Sequence, residues 1–250
     1  MNIEAILTPA ELPALAGRDL TRTACVVFDV LRATSTFVTA LGNGARAVIP
    51  VSEISEALAI RQRQPDVLLG GERDGVKIRA ARTGGGNFDF GNSPREYTAE
   101  KVRCKTIVST TTNGTRAMRA CAGAQTVLAA SFLNLGATAR FLRRQNRVLL
   151  VCAGTRENAA LEDALAAGAL CELLGGGDPP AFSDSAEMVR RAYAQAKSNL
   201  AEAVCGSENA RRLLAIPDLR DDVPFCLRRD VYPFAVIRAS DGAAYVAKPV

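Results

Sequence analysis

The sequence predicts an α/β protein in which helices cover both faces of a mostly parallel sheet, a three-layer α/β/α arrangement. Short runs rich in β-branched residues alternate with helical patterns over most of the 250 residues. The strand candidates are apolar throughout, as in strands buried on both faces. With 48% hydrophobic and 5% aromatic residues, the composition favours this fold over a β-sandwich and suffices for one sizeable core.

The first three strands are expected where short apolar runs end at polar or glycine residues. The run ACVVFDVL over 24–31 predicts a buried strand, followed by a helix over 33–41. Strands at 47–51 and 67–69 flank an amphipathic helix over 53–63. This order of elements is typical of parallel strands joined by crossover helices.

The middle of the chain combines a glycine-rich loop with two helix starts. The loop over 83–91 leads to a short helix at Pro94, because Ser93 is a favourable N-cap and proline suits the first helical position. A strand at 106–109 opens into the sequence TTTNGT and a helix that continues to about Ala122. The alternation of strand and helix therefore continues here.

The second half repeats this pattern and then departs from it after the sequence GGGDPP. Two further strands, each before a helical stretch, are expected at 126–129 and 148–152. The elements expected after the change are helices at 184–204 and 208–214 and a strand at 232–238. We predict one domain over 1–250, with two closely packed subdomains as the alternative because the pattern changes near 175–182.

Several classes of enzyme are excluded by composition and spacing. The chain has no histidine, which excludes Ser-His-Asp and Cys-His catalysis and zinc sites built on imidazole. No Walker A sequence occurs, and Val30-Leu31 after Asp29 rules out the Asp-x-Asp of the haloacid-dehalogenase phosphatases. Cys205 and Arg211 have the spacing of a cysteine phosphatase, but they lie in a helical segment instead of a strand-to-helix turn.

Charge and cysteine content limit the partners and the compartment. The net charge of +5 is spread along the chain, without the basic run and interleaved aromatics of a nucleic-acid surface. No apolar run is long enough to span a membrane. The seven cysteines contain no C-x-x-C and lie mostly in apolar runs, which is typical of reduced thiols in a cytoplasmic protein. The sequence leaves open whether the chain forms a homodimer.

Polar residues follow the predicted strands, where an open α/β sheet binds its ligands. An acid such as Asp29 within VVFDVL is costly to bury unless it is paired or binds metal, although it could instead cap the next helix. Glu72 and Arg73 follow two glycines, which permit a ligand to approach the backbone closely and favour a role in the site. A surface ion pair between the two residues is the alternative. The sequence TTTNG before a helix offers N–H and hydroxyl donors to an anion, although a solvent-facing turn would look similar.

Two adjacent acids, Glu162 and Asp163, stand at the start of an alanine- and leucine-rich helix. Neighbouring positions on a helix point in different directions, so at most one of the two faces a site. An acidic first turn favoured by the helix dipole is the alternative explanation.

Six blocks, taken in order, resemble the 2-phosphosulfolactate phosphatase (ComB) family. They are DVLRATST (29–36), GER (71–73), FDFGNSP (88–94), TTNGT (111–115), CAG (152–154) and LED (161–163). The resemblance covers about residues 24–170, with a weaker match at 225–227. Two segments depart from the family pattern: a longer loop after Arg73 that includes Gly84-Gly85-Gly86, and 155–158 in place of a glycine-containing turn.

The resemblance implies an α/β/α fold and a Mg²⁺-dependent phosphatase. Its reaction would be hydrolysis of (R)-2-phospho-3-sulfolactate, a small anionic phosphorylated substrate, to sulfolactate in coenzyme M biosynthesis. Phosphoryl transfer requires charge neutralisation and positioning, and Mg²⁺ prefers oxygen ligands, so neither needs a histidine. The alternatives are a phosphatase for another small phosphorylated hydroxy acid and an anion-binding protein without turnover.

Roles for individual residues are hypotheses that follow from this resemblance. We expect Asp29, Glu72 and Asp163 to bind Mg²⁺ directly or through water. Arg32 and Arg73 would hold the phosphoryl, sulfonate or carboxylate oxygens. The residues expected to line the substrate site are Thr34, Asn92, Ser93, Thr111, Thr112, Asn113, Gly114 and Thr115. We expect a metal-activated water as the nucleophile, with Asp29 as a covalent nucleophile being the alternative.

Overall fold

The strands of the described part of the chain form one mixed sheet. The computed structural model describes residues 1–176, 180–239 and 244–250. The strands are β1 (Asn2–Ile6), β2 (Ala24–Phe28), β3 (Ala47–Pro50), β4 (Leu68–Arg73), β5 (Val76–Lys77), β6 (Thr106–Thr110), β7 (Thr126–Ala130), β8 (Arg147–Cys152), β9 (Ala181–Phe182), β10 (Phe234–Arg238) and β11 (Tyr245–Pro249). Their spatial order is β5-β4-β6-β3-β11-β10-β7-β2-β8-β1-β9.

Helices connect most of these strands. They are α1 (Ala33–Gly42), α2 (Ile54–Arg63), α3 (Ala80–Thr83), α4 (Ala99–Val102), α5 (Gly114–Ala120), α6 (Leu135–Leu142), α7 (Leu161–Leu174), α8 (Asp184–Ala196), α9 (Leu200–Cys205), α10 (Glu208–Leu214) and α11 (Asp222–Cys226). Short 3-10 segments lie at Pro9–Gly17, Pro94–Glu96, Phe132–Asn134 and Lys197–Asn199.

The sheet consists of two parallel blocks joined by an antiparallel hairpin. One block contains β4, β6 and β3, and the other contains β7, β2, β8, β1 and β9. The hairpin β10–β11 pairs antiparallel with β7 on one side and with β3 on the other. Strand β5 adds an antiparallel edge next to β4. The two blocks therefore run in opposite directions along the ladder.

The twist of the sheet explains how both blocks contribute to one site. Adjacent strands rotate by roughly 20–25°, so about 100–125° accumulates between β6 and β2. Five strand-to-strand steps separate these two strands in the sheet. Because of this rotation, the loops that follow the carboxyl ends of β2 and β8 approach those that follow β4 and β6.

Helices cover both faces of the sheet, which gives the three layers. Val26 and Phe28 of β2 point to one face and pack with the apolar sides of α6 and α7. Cys25 and Val27 point to the other face, where α1 and α5 cover them. A smaller cluster fills the space between α2 and the strands β4 and β6. The predicted α/β class with helices on both sides of a mostly parallel sheet is confirmed.

Most expected elements are present, with differences at their ends and in their pairing. Strand β2 ends at Phe28, so Asp29 lies in the loop after it and not inside the strand as predicted. Strand β4 extends through Glu72 and Arg73, beyond the expected end at residue 69. The helix expected over 184–204 is interrupted by a 3-10 turn at Lys197–Asn199. Strands β1, β5, β9 and β11 and the short helices α3, α4 and α11 were not predicted from the sequence.

The predicted change of pattern near 175–182 coincides with the connection between α7 and β9. Residues 177–179 of this stretch lie outside the described residues. Helix α8 returns across α7 so closely that a Cβ atom on Gly168 would lie 2.1 Å from the carbonyl oxygen of Val189. Within the described residues, no helix has the length and apolar character needed to cross a membrane.

Candidate active site

Five of the six sequence blocks contribute residues to one polar cavity between the two halves of the sheet. From these blocks come Asp29, Leu31, Arg32, Glu72, Asn92, Thr112, Asn113 and Gly154. The sixth block lies directly behind the wall, since Asp163 accepts hydrogen bonds from the N–H groups of Val30 and Gly154. Segments more than a hundred residues apart therefore meet here.

Asp29 lies in the loop between β2 and α1 and is partly exposed to the cavity. Its Oδ1 accepts a hydrogen bond from the Ala33 N–H at 3.0 Å, which fixes the carboxylate at the start of the helix. Burial raises the pKa of Asp29 to about 6, and the negative charges of Glu72 and Glu162 add to this shift against the backbone donors. The carboxylate therefore stands where a cation or a proton is favoured.

Arg32 is almost fully buried at the base of the cavity and forms an ion pair with Asp222. Its Nη1 lies 2.7 Å from Asp222 Oδ2, and its Nη2 donates to the Gly75 carbonyl at 2.8 Å. The second oxygen of Asp222 accepts a hydrogen bond from the Ser93 hydroxyl at 2.6 Å. Helix α11 thus orients an arginine that lies 190 positions earlier in the chain.

Glu72 connects the end of β4 to the loop after β6. Its Oε1 accepts hydrogen bonds from the N–H and the hydroxyl of Thr112, both at 2.8 Å. Its Oε2 accepts from the Gly75 N–H at 2.6 Å. Both oxygens of this carboxylate are therefore engaged by donors of the protein, and they hold two walls of the cavity together.

The adjacent acids of α7 have different environments. Both oxygens of Asp163 accept backbone N–H groups, and burial, together with the carboxylates of Glu162 and Asp29, raises its pKa well above the ordinary value. Glu162 Oε1 accepts from Asn209 Nδ2 at 2.6 Å. Glu162 Oε2 is buried without a hydrogen-bond partner in the described residues. Glu162 therefore has the free oxygen.

Asn92 and Asn113 line the same cavity as Asp29, and Gly114 packs against the Asp29 carboxylate. Asn92 is buried, and its Oδ1 has no hydrogen-bond partner among the described residues. A Cβ atom on Gly114 would lie 2.7 Å from Asp29 Oδ2 and 2.8 Å from the Ala33 side chain. Glycine at this position is what lets the loop after β6 approach the Asp29 carboxylate.

Other predicted site residues support the walls and do not line the cavity. Arg73 donates to the carbonyls of Glu72 and Ser52 and to the Thr110 hydroxyl, at 2.8, 2.9 and 3.0 Å. Thr34 bonds to the backbone of Asp29 at 2.9 Å. The remaining ones are buried: Ser93 donates its hydroxyl to Asp222, and Thr111 and Thr115 are linked through side chain-to-backbone hydrogen bonds. The structure does not bring the Arg73 guanidinium to the cavity.

One wall consists of residues that the sequence analysis did not select. Beyond the blocks, the polar lining includes Asp74, Thr155, Arg156, Asn209 and Arg212. Asn209 Nδ2 lies 2.6 Å from both Thr155 Oγ1 and Glu162 Oε1. The only signal in the sequence was the departure from the family pattern at 155–158, since α10 has the ordinary composition of a surface helix.

The donor atoms at the cavity fit a hard cation that is shared with water and substrate. Mg²⁺ is usually bound through one or two carboxylates, with water and phosphate oxygens completing its shell. Asp29 lines the cavity, the negative charge of Glu162 helps to raise the pKa of Asp29, and Glu162 Oε2 has no hydrogen-bond partner in the described residues. Among the described residues, no three His, Cys, Asp or Glu side chains are grouped to hold a metal by themselves.

Comparison with known proteins gives one consistent family. The family model for 2-phosphosulpholactate phosphatase matches residues 7–240. A probable 2-phosphosulfolactate phosphatase of Thermotoga petrophila is 44% identical over 83% of this chain and 85% of its own. Proteins with the same name from Symbiobacterium thermophilum and Gloeobacter violaceus are 41% and 37% identical, over 88% and 92% of this chain and 90% and 92% of theirs. The chain belongs to the 2-phosphosulpholactate phosphatase family, a family of phosphoric monoester hydrolases.

Proposed function

We propose that this enzyme is a Mg²⁺-dependent phosphatase that hydrolyses (R)-2-phospho-3-sulfolactate. Water attacks phosphorus, the ester P–O bond breaks, and the products are 3-sulfolactate and inorganic phosphate. The family resemblance supports a place for this step in coenzyme M biosynthesis. The seven cysteines, all of them free thiols, support a cytoplasmic location.

One observation carries the proposal. The segments that resemble the family surround one cavity, which is lined by the carboxylates of Asp29 and Glu72 and by the buried Arg32. Asp29 and Arg32 reach it from the loop after β2, and Glu72 reaches it from the other block of the sheet. Phosphoryl transfer depends on positioning and charge neutralisation, for which these groups suffice without a histidine.

The residues of the chain would share the work as follows. The buried guanidinium of Arg32, held by Asp222, would neutralise phosphoryl oxygens through charge-assisted hydrogen bonds. Asn92 and Asn113 would orient the phosphate through their amide groups at the cavity wall. Glu72 would keep the loop after β6 in place through its two bonds to Thr112.

The proposed Mg²⁺ would be held by Asp29, with Glu162 as the second carboxylate. Glu72 and Asp163, whose oxygens already accept hydrogen bonds from the protein, would act on the ion through water. When bound, Mg²⁺ supplies charge neutralisation of the phosphate and lowers the pKa of water bound to it. Burial and the neighbouring carboxylates make negative charge on Asp29 unfavourable, and its pKa is raised to about 6. A bound cation would offset this unfavourable charge, which supports a metal ion here.

Phosphate release from a substrate panel, with Mg²⁺ or with a chelator, tests this function. The panel contains phosphosulfolactate, phospholactate and phosphoglycolate. We expect phosphosulfolactate to have the highest kcat/KM, activity to require Mg²⁺, and Asp29→Asn to abolish turnover. Faster hydrolysis of another phosphorylated acid would identify that acid as the better substrate. Full activity in the presence of a chelator would contradict the proposed Mg²⁺ requirement.

Two outcomes would change the proposal more deeply. Absence of turnover on every member of the panel would leave an anion-binding protein. Incorporation of ¹⁸O from labelled water into the Asp29 carboxylate, and not directly into phosphate, would identify Asp29 as a covalent nucleophile.

A further inference from the structure

Two arginines of the cavity wall have no partner for their charge. Arg156 and Arg212 both line the cavity, and neither guanidinium forms a hydrogen bond or an ion pair with the described part of the chain. Arg32, the third arginine of the cavity, differs from them because Asp222 neutralises it at 2.7 Å. The wall therefore presents two uncompensated positive charges to whatever enters.

The position of Arg212 strengthens this contrast. Its Nη2 lies 3.6 Å from the point that a Cβ atom on Gly75 would occupy. Arg32 Nη2 donates to the carbonyl of the same Gly75 at 2.8 Å. The guanidinium groups of Arg212 on α10 and of Arg32 in the loop before α1 thus approach one residue, an arrangement in which like charges repel unless an anion lies between or beside them.

Arg156 is held at the cavity by a tight turn. The N–H groups of Thr155 and Asn158 bond reciprocally to each other's carbonyls, at 2.9 and 3.0 Å, and Arg156 has a φ of 56°. A left-handed conformation is unfavourable for a side chain such as arginine, so the turn has a cost that another residue would reduce. The next residue in the sequence, Glu157, is paired with Arg116 at 2.6 Å and forms no ion pair with Arg156.

We propose that Arg156 and Arg212 bind the non-transferred anionic groups of the substrate and so select phosphorylated acids that carry a sulfonate besides the carboxylate. This inference rests on the proposed phosphatase function and deepens it. A phosphosulfolactate has three anionic groups, and the cavity offers three guanidinium groups. Arg32 serves the phosphoryl group near Asp29, and the other two arginines serve the sulfonate and the carboxylate through the fork geometry that arginine provides.

The selectivity between two substrates measures this role. Phospholactate keeps the phosphate and the carboxylate of phosphosulfolactate but lacks the sulfonate. The ratio of their kcat/KM values is determined for the wild type, Arg156→Gln, Arg212→Gln and the double variant. Arg211→Gln is the matched control, because Arg211 is an exposed neighbour on α10 that does not line the cavity.

We expect at least one single variant to lower kcat/KM for phosphosulfolactate about 10- to 100-fold, the range for a lost charge-assisted contact. The kcat/KM for phospholactate should fall much less in that variant, so that the ratio of the two kcat/KM values decreases. In the double variant this ratio should be below about threefold. Arg211→Gln should behave as the wild type. Losses that are equal on the two substrates in both single variants and in the double variant, or no loss in any of them, would overturn the inference.

A binding measurement separates this inference from the reaction itself. Calorimetric titration with 3-sulfolactate and with lactate is performed on the same variants, without turnover. If Arg156→Gln or Arg212→Gln weakens the binding of sulfolactate more than the binding of lactate, with Arg211→Gln unchanged, the sulfonate role is supported even if the wild type hydrolyses no ester of the panel. Sulfolactate binding that is equal in the wild type and the double variant contradicts it.

Discussion

The buried ion pair between Arg32 and Asp222 leads to the most quantitative prediction. The two side chains are 3% and 0% exposed, and 2.7 Å separates Nη1 from Oδ2. Asp222→Ala would leave the guanidinium buried and uncompensated, a change that typically costs about 3–5 kcal/mol. Arg95, whose Nη1 lies 3.6 Å from Asp222 Oδ1, brings a second positive charge to the same place. We therefore expect the free energy of unfolding to fall by about 4 kcal/mol.

Activity should fall together with stability, although for a different reason. Asp222 also accepts the hydrogen bond of Ser93 at 2.6 Å, so its loss frees two groups beside the cavity. A displacement of about 1 Å in a positioning group costs roughly 10²-fold in rate. Asp222→Asn should lie between the wild type and the alanine variant, because the amide oxygen still accepts a hydrogen bond but the charge is gone.

Urea unfolding followed by circular dichroism, with kcat/KM measured on the folded protein, provides the assay. Asp221→Ala is the matched control: Asp221 is 65% exposed and pairs with Arg95 at 3.4 Å, so its removal should cost less than about 1 kcal/mol. A double variant, Arg32→Met with Asp222→Leu, should regain much of the stability and none of the activity. A loss below about 1 kcal/mol in Asp222→Ala, or wild-type activity, would refute the reasoning.

Three further predictions follow from single contacts. Without metal, the free energy of unfolding should fall by up to about 3 kcal/mol as the pH rises from about 4 to 7 because of Asp29 alone, at about 1.36 kcal/mol per pKa unit. The pKa of Asp29 is about 6 in the folded protein against an ordinary 3.8, so the stabilisation present below pH 3.8 is lost as the pH rises through about 6. Urea unfolding of Asp29→Asn at several pH values should lack this loss. If the stability of the wild type and of Asp29→Asn changes with pH in parallel, the prediction is wrong. Gly114→Ala should reduce kcat/KM about 100-fold, because the new Cβ would lie 2.7 Å from Asp29 Oδ2, and unchanged phosphate release would show that the loop can retreat. Gly168→Ala should lower the unfolding free energy by about 1–3 kcal/mol, because its Cβ would lie 2.1 Å from the Val189 carbonyl oxygen. The kcat of the folded enzyme should stay as in the wild type. A change in kcat without a change in stability would contradict this prediction.

Local patterns of the sequence were enough to identify the principal elements. The apolar runs of β2, β7 and β8 are strands that neighbours cover on both faces, so their burial appears directly as a nearly uninterrupted apolar pattern. The end of α10 at Leu214 coincides with its expected end. Strands β1 and β9 escaped notice because they are short or alternate with polar residues, and pairing with distant segments alone makes them strands.

The same distinction holds for the site. Asp29 and Glu72 could be selected from the sequence because an acid beside an apolar run or a glycine pair is unusual wherever it occurs. Asp222 could not, since an acid in the first turn of a short helix is ordinary, and its burial depends on α11 packing beside the cavity. Arg73 was selected for its neighbours in the sequence, but the direction of its side chain toward Ser52 depends on the strand pairing.

The sequence by itself determined the α/β class, the order of the elements, the exclusion of histidine chemistry and the family, because apolar periodicity and motif order are properties of consecutive residues. Only the tertiary structure decided which acid of α7 retains a free oxygen, and which arginines face the cavity. It also decided that a hairpin joins two opposed parallel blocks. These features depend on contacts between residues 47–190 positions apart, which hydrophobic burial and sheet twist bring together and no local pattern encodes.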